Sequence, residues 1–246
     1  MPKRARLDNT LVERGLFPSR EQAQRAIMAG QVRTGGRVLA KSSEMVGPDT
    51  ELSVAAPQKY VGRGGLKLEG VLDHFRLDPS GQTCLDIGAS TGGFTDCLLQ
   101  RGAAKVYAID VGHGQLAWKI RKDPRVVVHE HLNARHLTRA DIPDPIDLCV
   151  IDVSFISLTL VLPSAFELLT PTGMLLALIK PQFELAPEDV GRGGIVRDPA
   201  LHGKAQRKIE AFVQQAGHEV IGLAASSITG TDGNQEFFLC ARKRSA

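Results

Sequence analysis

Four apolar runs in the chain end at or beside a charged residue. They are Cys84-Leu85-Asp86-Ile87-Gly88, Val106-Tyr107-Ala108-Ile109-Asp110, Leu148-Cys149-Val150-Ile151-Asp152 and Leu175-Leu176-Ala177-Leu178-Ile179-Lys180. Near-continuous apolar runs of this length, separated by helix-length polar patterns, are the signature of parallel strands buried on both faces. In such sheets ligands bind in the crevice beyond the carboxyl ends of the strands. Asp110, Asp152 and Lys180 therefore share one rim, with the glycine turn after Asp86 between them.

The 246 residues are enough for one large or two modest domains with a proper core. No stretch of about 18 apolar residues is uninterrupted, which speaks against a membrane span; the longest candidate, 146–162, carries Asp147 and Asp152. The start, Met1-Pro2-Lys3-Arg4-Ala5-Arg6, is basic but lacks the apolar segment of a secretory signal. Cys84, Cys97, Cys149 and Cys240 form no close pair, and three of them sit in strand-like runs. Buried reduced thiols, with no metal site, and a cytoplasmic protein are expected.

Charge is distributed unevenly. Residues 1–60 hold ten Lys and Arg against six Asp and Glu, while the remainder holds twenty against twenty-one. A small basic module beside a near-neutral larger one suggests that the module meets a polyanion.

Punctuation divides the chain at the same place. Leu7, Leu11, Val12 and Leu16 predict a short amphipathic helix, and Ser19 an N-cap for a second helix with Ala23, Ala26 and Ile27 inward, stopping at Gly30. Short strands are expected at 31–34, 37–39 and 51–55. The boundaries are 1–57 for this module, 58–65 for a glycine-containing linker and 66–246 for the larger domain. In the latter, strands are expected near 83–88, 105–110, 126–129, 147–152 and 174–179, and helices near 66–76, 93–101, 114–121, 157–168 and 200–216. Two last strands, near 218–229 and 235–241, are joined by a hairpin turn at Thr231-Asp232-Gly233-Asn234. The final strand then runs antiparallel and brings Glu236 to the rim.

The turn Gly88-Ala89-Ser90-Thr91-Gly92-Gly93 follows a strand and opens a helix, where glycines allow close backbone approach and the helix N-terminus favours a negative group. Serine at the middle position spoils the dinucleotide fingerprint. The Asp-x-Gly-x-Ser-x-Gly-Gly-Phe sequence, residues 86–94, resembles motif I of S-adenosylmethionine-dependent methyltransferases more than a dehydrogenase turn. Asp110, ending the second strand, suits ribose hydroxyls.

Taken singly, Lys180 reads as a solvated lysine, Asp152 as a helix cap and Glu236 as a hairpin charge. Together on one rim, with Lys67 on the preceding helix, they form two amines and two carboxylates that can couple. Lys180 is the residue expected nearest the acceptor, with Lys67 favouring its neutral form and Asp152 and Glu236 orienting the lysines. Such a set suits proton removal from an unactivated alcohol during methyl transfer. Asp152-Val153-Ser154-Phe155 stands where methylases of exocyclic amines carry an Asn/Asp-Pro-Pro-aromatic motif, and Cys149 has no adjacent proline, so base chemistry is poorly supported.

In order and context Lys67, Asp152, Lys180 and Glu236 resemble the Lys-Asp-Lys-Glu tetrad of FtsJ-type RNA 2′-O-methyltransferases. The segments Tyr60-Val61-Gly62-Arg63-Gly64-Gly65-Leu66-Lys67-Leu68, Lys180-Pro181-Gln182-Phe183-Glu184 and 190–198 resemble the TlyA family over nearly the whole chain. That family joins a small ribosomal-protein-type (alpha-L) RNA-binding domain to an FtsJ-like methyltransferase. The N-terminal Arg6-Leu7-Asp8 through Val32 is similar to the alpha-L motif, with a departure at Thr34-Gly35-Gly36.

The resemblance implies a Rossmann-like α/β methyltransferase sheet with an antiparallel last strand, and methylation of a ribose 2′-hydroxyl in ribosomal RNA, typically at cytidine. It implies S-adenosylmethionine as cofactor, with Asp86, Gly88, Ala89, Ser90, Gly92, Gly93 and Phe94 on its methionine side, Asp110 at its ribose and Asn133 near its adenine. Arg4, Arg6, Arg20, Arg25 and Lys41 are the candidate phosphate contacts, since the arginine fork grips two phosphate oxygens. Residues 181–198 read as a loop ordering over substrate, with Arg192 and Arg197 as further RNA contacts. The partners expected are ribosomal RNA or ribosomal subunits, with no membrane. The competing readings are a non-catalytic ribosome-binding or assembly factor, and a membrane-acting haemolysin, a label that family members also carry.

Overall fold

The apolar runs form adjacent strands in the structure, a computed structural model that describes residues 4–55, 58–230 and 232–244. Met1, Pro2 and Lys3 of the basic start, Pro57 at the module's end and Thr231 of the expected hairpin turn lie outside the described residues, as does the side chain of Arg192. Two compact units divide the chain, Met1–Gln58 and Lys59–Ala246.

The first unit contains β1 (Ala5–Arg6), α1 (Leu7–Glu13), α2 (Arg20–Met28), β2 (Val32–Thr34), β3 (Arg37–Val38), β4 (Met45–Val46) and β5 (Ser53–Val54). Ser19 caps α2 by accepting from the Gln22 amide at 3.3 Å, satisfying one of the donors that a helix start leaves open. Leu7, Leu11, Ala23, Ile27, Val32 and Leu39 form its core. The two-residue β1 and β4, which pair antiparallel, carry too few residues for any periodicity to announce them.

The second unit runs α3 (Gly64–Phe75), β6 (Thr83–Ile87), α4 (Gly93–Gln100), β7 (Lys105–Ile109), α5 (Trp118–Arg121), β8 (Val126–His129), β9 (Ile146–Ile151), α6 (Leu162–Leu168), β10 (Leu169–Ile179), α7 (Pro181–Glu184), α8 (Pro199–Gln215), β11 (Glu219–Ala225) and β12 (Phe237–Arg242). Its sheet has the order β11-β12-β10-β9-β6-β7-β8. Strands β6 to β10 pair in parallel, and β12 lies antiparallel to both β10 and β11. Side chains alternate between two cores. Leu85, Ile87, Ile109, Ile151 and Leu175 face α6 and α8, while Cys84, Val106, Val150, Leu176 and Phe238 face α3, α4 and α5. Both faces are covered, which is why the strands read as continuous apolar runs. The four cysteines are free and buried, and burial pushes the Cys84 and Cys240 thiols up to about 12.

Several elements differ from expectation for local reasons. The helix expected at 114–121 shrinks to α5, because residues 112–114 zip to the segment after β8: His131 N donates to Gly112 O at 3.3 Å and Gly114 N to Glu130 Oε1 at 2.8 Å. The helix expected at 157–168 splits into a 3-10 turn, Leu158–Leu160, and α6, since Pro163 has no N–H to give and belongs in a first helical turn. The expected antiparallel hairpin is present, but its β11–β12 ladder ends at Ala225↔Phe237, and a longer loop joins the strands, in which Gly233 N donates to Gly230 O at 3.0 Å. Its Thr229, Gly230, Asp232 and Asn234 line a cavity.

Candidate active site

Positions at the carboxyl ends of the strands converge as strand register requires. Asp152 directly follows β9 and Lys180 directly follows β10, and those strands are neighbours. Because β12 runs the other way and pairs Phe237 with Ile179, Glu236 arrives beside Lys180 from 56 positions further along the chain. Lys67, in the first turn of α3, completes the set. All four line one cavity of about 520 Å³.

Their charges alternate. Lys67 Nζ donates to Glu236 Oε2 at 2.6 Å, with both side chains nearly buried. Lys180 Nζ lies 2.6 Å from Asp152 Oδ1, a charge contact without hydrogen-bond alignment, and donates to Ser154 Oγ at 2.9 Å. Each amine thus has its own carboxylate, an arrangement that burial makes necessary. Sequence reasoning expected Lys67 to act on Lys180 directly; the structure instead gives Lys67 to Glu236.

The glycine turn forms the cavity's second wall through Gly88, Ala89, Ser90, Gly93 and Phe94. Gly88 has φ +86°, and a Cβ there would stand 2.2 Å from the Asp152 carbonyl oxygen, so only glycine lets β6 and β9 end this close together. The turn is fastened to β7 by Asp110, whose two oxygens accept from Ser90 N and Gly112 N, each at 2.7 Å. Asp110 and Asn133 line an adjoining cavity of about 380 Å³, walled also by Ile87, Ile109 and Val161. Gly88, Ser90, Asp152, Ser154 and Phe155 belong to both cavities, so the two are lobes of one crevice.

Asp86 and Gly92 line neither lobe. Gly92 caps α4 beneath the turn, packed under Leu116 and Ile120. Asp86 is fully buried and accepts the Thr95 hydroxyl at 2.6 Å, while its Oδ1 has no partner. Burial, with Asp152 and Asp110 adding repulsion, pushes its carboxyl up to about 7, against the hydrogen bond from Thr95.

This crevice fits S-adenosylmethionine by its donor set and shape. The polar lobe offers backbone and hydroxyl groups at a turn whose Gly88 leaves no room for a Cβ. The other lobe offers Asp110 for hydroxyls and an apolar slot of Ile87, Ile109 and Val161 for a flat base.

Some residues at the site were given no role by the sequence. Phe155 is 90% exposed with φ +64° and lies 5.0 Å, ring to ring, from Phe183 at the mouth of the crevice. Exposure of a large aromatic held in a left-handed conformation points to function; the sequence placed Phe155 at the aromatic end of the Asp152-Val153-Ser154-Phe155 segment but gave it no role. The hydrogen bonds of Ser154 and Asn234 are likewise visible only once the loops are folded.

In the first unit, Arg6 and Arg20 converge on one buried carboxylate. Asp8 accepts from Arg6 Nε and Nη2 at 3.0 Å, from Arg20 Nε at 2.8 Å and from Gln24 Nε2 at 2.7 Å. These partners, Arg6 foremost, hold Asp8 far below the usual carboxylate range. Both arginines keep exposed surface. Arg25 pairs with Glu21 along α2, and Arg4, Lys41 and Arg197 are exposed. The segment 181–198 contains α7 and two 3-10 turns. It is tied down by Asn234, which accepts from Val196 N at 2.9 Å and donates to Gly194 O at 2.8 Å.

Comparison with known proteins adds the following. A profile of FtsJ-like methyltransferases matches residues 60–243, and one of S4 domains matches residues 5–52. YqxC of Bacillus subtilis, which bears an rRNA methyltransferase name, is 50% identical over 96% of this chain and 85% of its own. The 16S/23S rRNA (cytidine-2′-O)-methyltransferase TlyA of Mycobacterium tuberculosis is 46% identical over 98% and 91%. A solved structure from Streptococcus thermophilus, described as a hemolysin, superposes with a TM-score of 0.76 at 43% identity, covering 100% of this chain and 90% of that one. Among the described residues no helix is long and apolar enough to cross a membrane, and no three His, Cys, Asp or Glu side chains gather as a metal site.

Proposed function

The chain belongs to the TlyA family, an S4 domain joined to an FtsJ-like methyltransferase domain, and from that premise we propose that it methylates the ribose 2′-hydroxyl of a cytidine in ribosomal RNA. The observation that carries this reading is the alternating Lys67–Glu236 and Asp152–Lys180 set in a cavity shared with the glycine turn. An alcohol is a poor nucleophile until its proton has somewhere to go, and an amine held between Asp152 and Ser154 is a suitable destination.

Gly88, Ala89, Ser90, Gly93 and Phe94 would hold S-adenosylmethionine along the glycine turn, Asp110 and Asn133 would hold its adenosine, and the group would supply an electrophilic methyl. Asp86 supports the turn from below. Lys180 Nζ, entering the step as the neutral amine with its own proton already released to solvent, takes the 2′-hydroxyl proton, and Asp152 balances the ammonium that results. Lys67 and Glu236 form the opposite wall and hold the ribose in line, which supplies catalysis through orientation. Phe155 and Phe183 offer a face for an unstacked base. The S4 unit, with Arg4, Arg6, Arg20, Arg25 and Lys41, grips phosphates without reading sequence.

The domain limits proposed on this reading are an RNA-binding module over 1–57, a linker over 58–65 and a methyltransferase over 66–246. The reading places the protein where ribosomal RNA is made, in the cytoplasm. Incubation with methyl-labelled S-adenosylmethionine and ribosomal RNA, free and in subunits, followed by nucleoside analysis, tests it. 2′-O-methylcytidine is expected; label on a base, or on no RNA, overturns it.

A further inference from the structure

Glu184 is 5% exposed as a residue, and its side chain only 1%. It lies at the rim of the sheet and touches neither lobe of the crevice. Its Oε2 accepts from Ser157 Oγ at 2.6 Å and from Lys208 Nζ at 2.9 Å, and its Oε1 accepts from Leu158 N at 2.7 Å. Lys208, on α8, donates also to the Glu184 carbonyl at 2.8 Å. Burying a carboxylate is costly unless every oxygen is satisfied, and here both are.

The position of this knot is what matters. Two loops leave the neighbouring strands β9 and β10, one beginning with Asp152 and the other with Lys180. Glu184 ends the single turn of α7 that follows Lys180, and its partners Ser157 and Leu158 end the loop that follows Asp152. Between the strand ends and the knot lie Ser154, which accepts from Lys180, and Phe155, whose left-handed backbone persists only where its surroundings over-determine it. The two loops are thus joined at the base by the sheet and at the far side by one carboxylate.

We propose that Glu184 is a positioning residue for methyl transfer, fixing the Asp152–Ser154–Phe155 loop against Lys180 through Ser157, Leu158 and Lys208. The inference rests on the methyltransferase reading above. Glu184 touches no reacting atom; it acts by holding the proton acceptor and the aromatic mouth in register, where displacement by about 1 Å costs on the order of 100-fold in rate.

Full-length Glu184→Gln, Ser157→Ala and the double variant test this. Three readouts are needed: turnover and KM on ribosomal RNA, S-adenosylmethionine affinity by calorimetry, and amide exchange across residues 152–160. Glu184→Gln is expected to lower kcat about 10- to 100-fold, to leave cofactor affinity within about twofold, and to speed exchange at Leu158. Ser157→Ala is expected to give a smaller fall, and the double variant to be no worse than Glu184→Gln, because both cut one tie. Faster exchange with unchanged kcat would make the knot merely structural and overturn the proposal, as would a kcat loss matched by loss of cofactor binding. The parallel wild-type reaction separates the two readings. If it yields no 2′-O-methylation, the function falls and this inference with it; wild-type turnover in Glu184→Gln removes only the inference.

Discussion

Lys180 meets Asp152 and Ser154 at a single amine and does not itself line the adenosine lobe, so truncating it removes the proposed proton acceptor without removing a wall of that lobe. Lys180→Ala is predicted to lower transfer by at least about 100-fold, the lower end of what a positioned acid–base group supplies. Cofactor affinity measured by calorimetry should stay near that of the wild type. Gly88→Ala should behave oppositely. Its Cβ would collide with the Asp152 carbonyl in a backbone that side chains avoid, costing upwards of about 3 kcal/mol, seen as a lowered Tm together with lost cofactor binding. Asp86 makes a pH prediction. Its carboxyl rises from an ordinary 3.8 to about 7 on folding, chiefly through burial. Folding therefore favours the protonated form, and this stability is fully present below pH 4 and lost as pH rises through about 7. Asp86→Asn keeps an acceptor for Thr95 and cannot ionise. Thermal unfolding from pH 4 to 8 should show a wild-type decline, worth at most about 4 kcal/mol, that the variant lacks. At this scale Asp110, Asp152 and Lys180 were legible because each ends an apolar run. Phe155 and Glu184 were not, because their roles depend on a loop's dihedral angles and on a partner helix.

Elements were legible in proportion to their periodicity. The buried strands β6, β7, β9 and the end of β10 announce themselves as apolar runs, and Ser19 announces α2. The two-residue strands, the single-turn α7 and the split ahead of Pro163 do not, because they are set by tertiary contacts and by one missing N–H. The β11–β12 hairpin was legible from its turn chemistry, but not that its ladder stops at Ala225↔Phe237 and leaves a long connection, since Asp232-Gly233-Asn234 favours a turn whether or not strands flank it directly. Helix α2 supports a prediction of its own. Arg20 is anchored at its Nε by the buried Asp8, which leaves its two terminal nitrogens for phosphate. Arg20→Ala should weaken RNA binding at all sequences alike and reduce the salt slope by about one. A change confined to one RNA sequence would argue against a phosphate contact.

For the whole molecule, the excess positive charge in the first quarter of the sequence and the chemistry in the rest assign binding and transfer to different units. The chain ending at Ala246 but starting at Lys59 should keep cofactor affinity and lose RNA affinity, with a flatter salt dependence in a filter-binding titration. The claim that joins both units is that methyl is transferred to a ribose oxygen, and alkali reads this out directly. Hydroxide cleaves RNA through the free 2′-hydroxyl, so a methylated ribose leaves its linkage intact. Ribosomal RNA labelled by the wild type and hydrolysed in alkali should release the label in a resistant dinucleotide beginning with cytidine, and RNA treated with Lys180→Ala should release none. Label recovered in ordinary mononucleotides would mean a methylated base and would contradict the account.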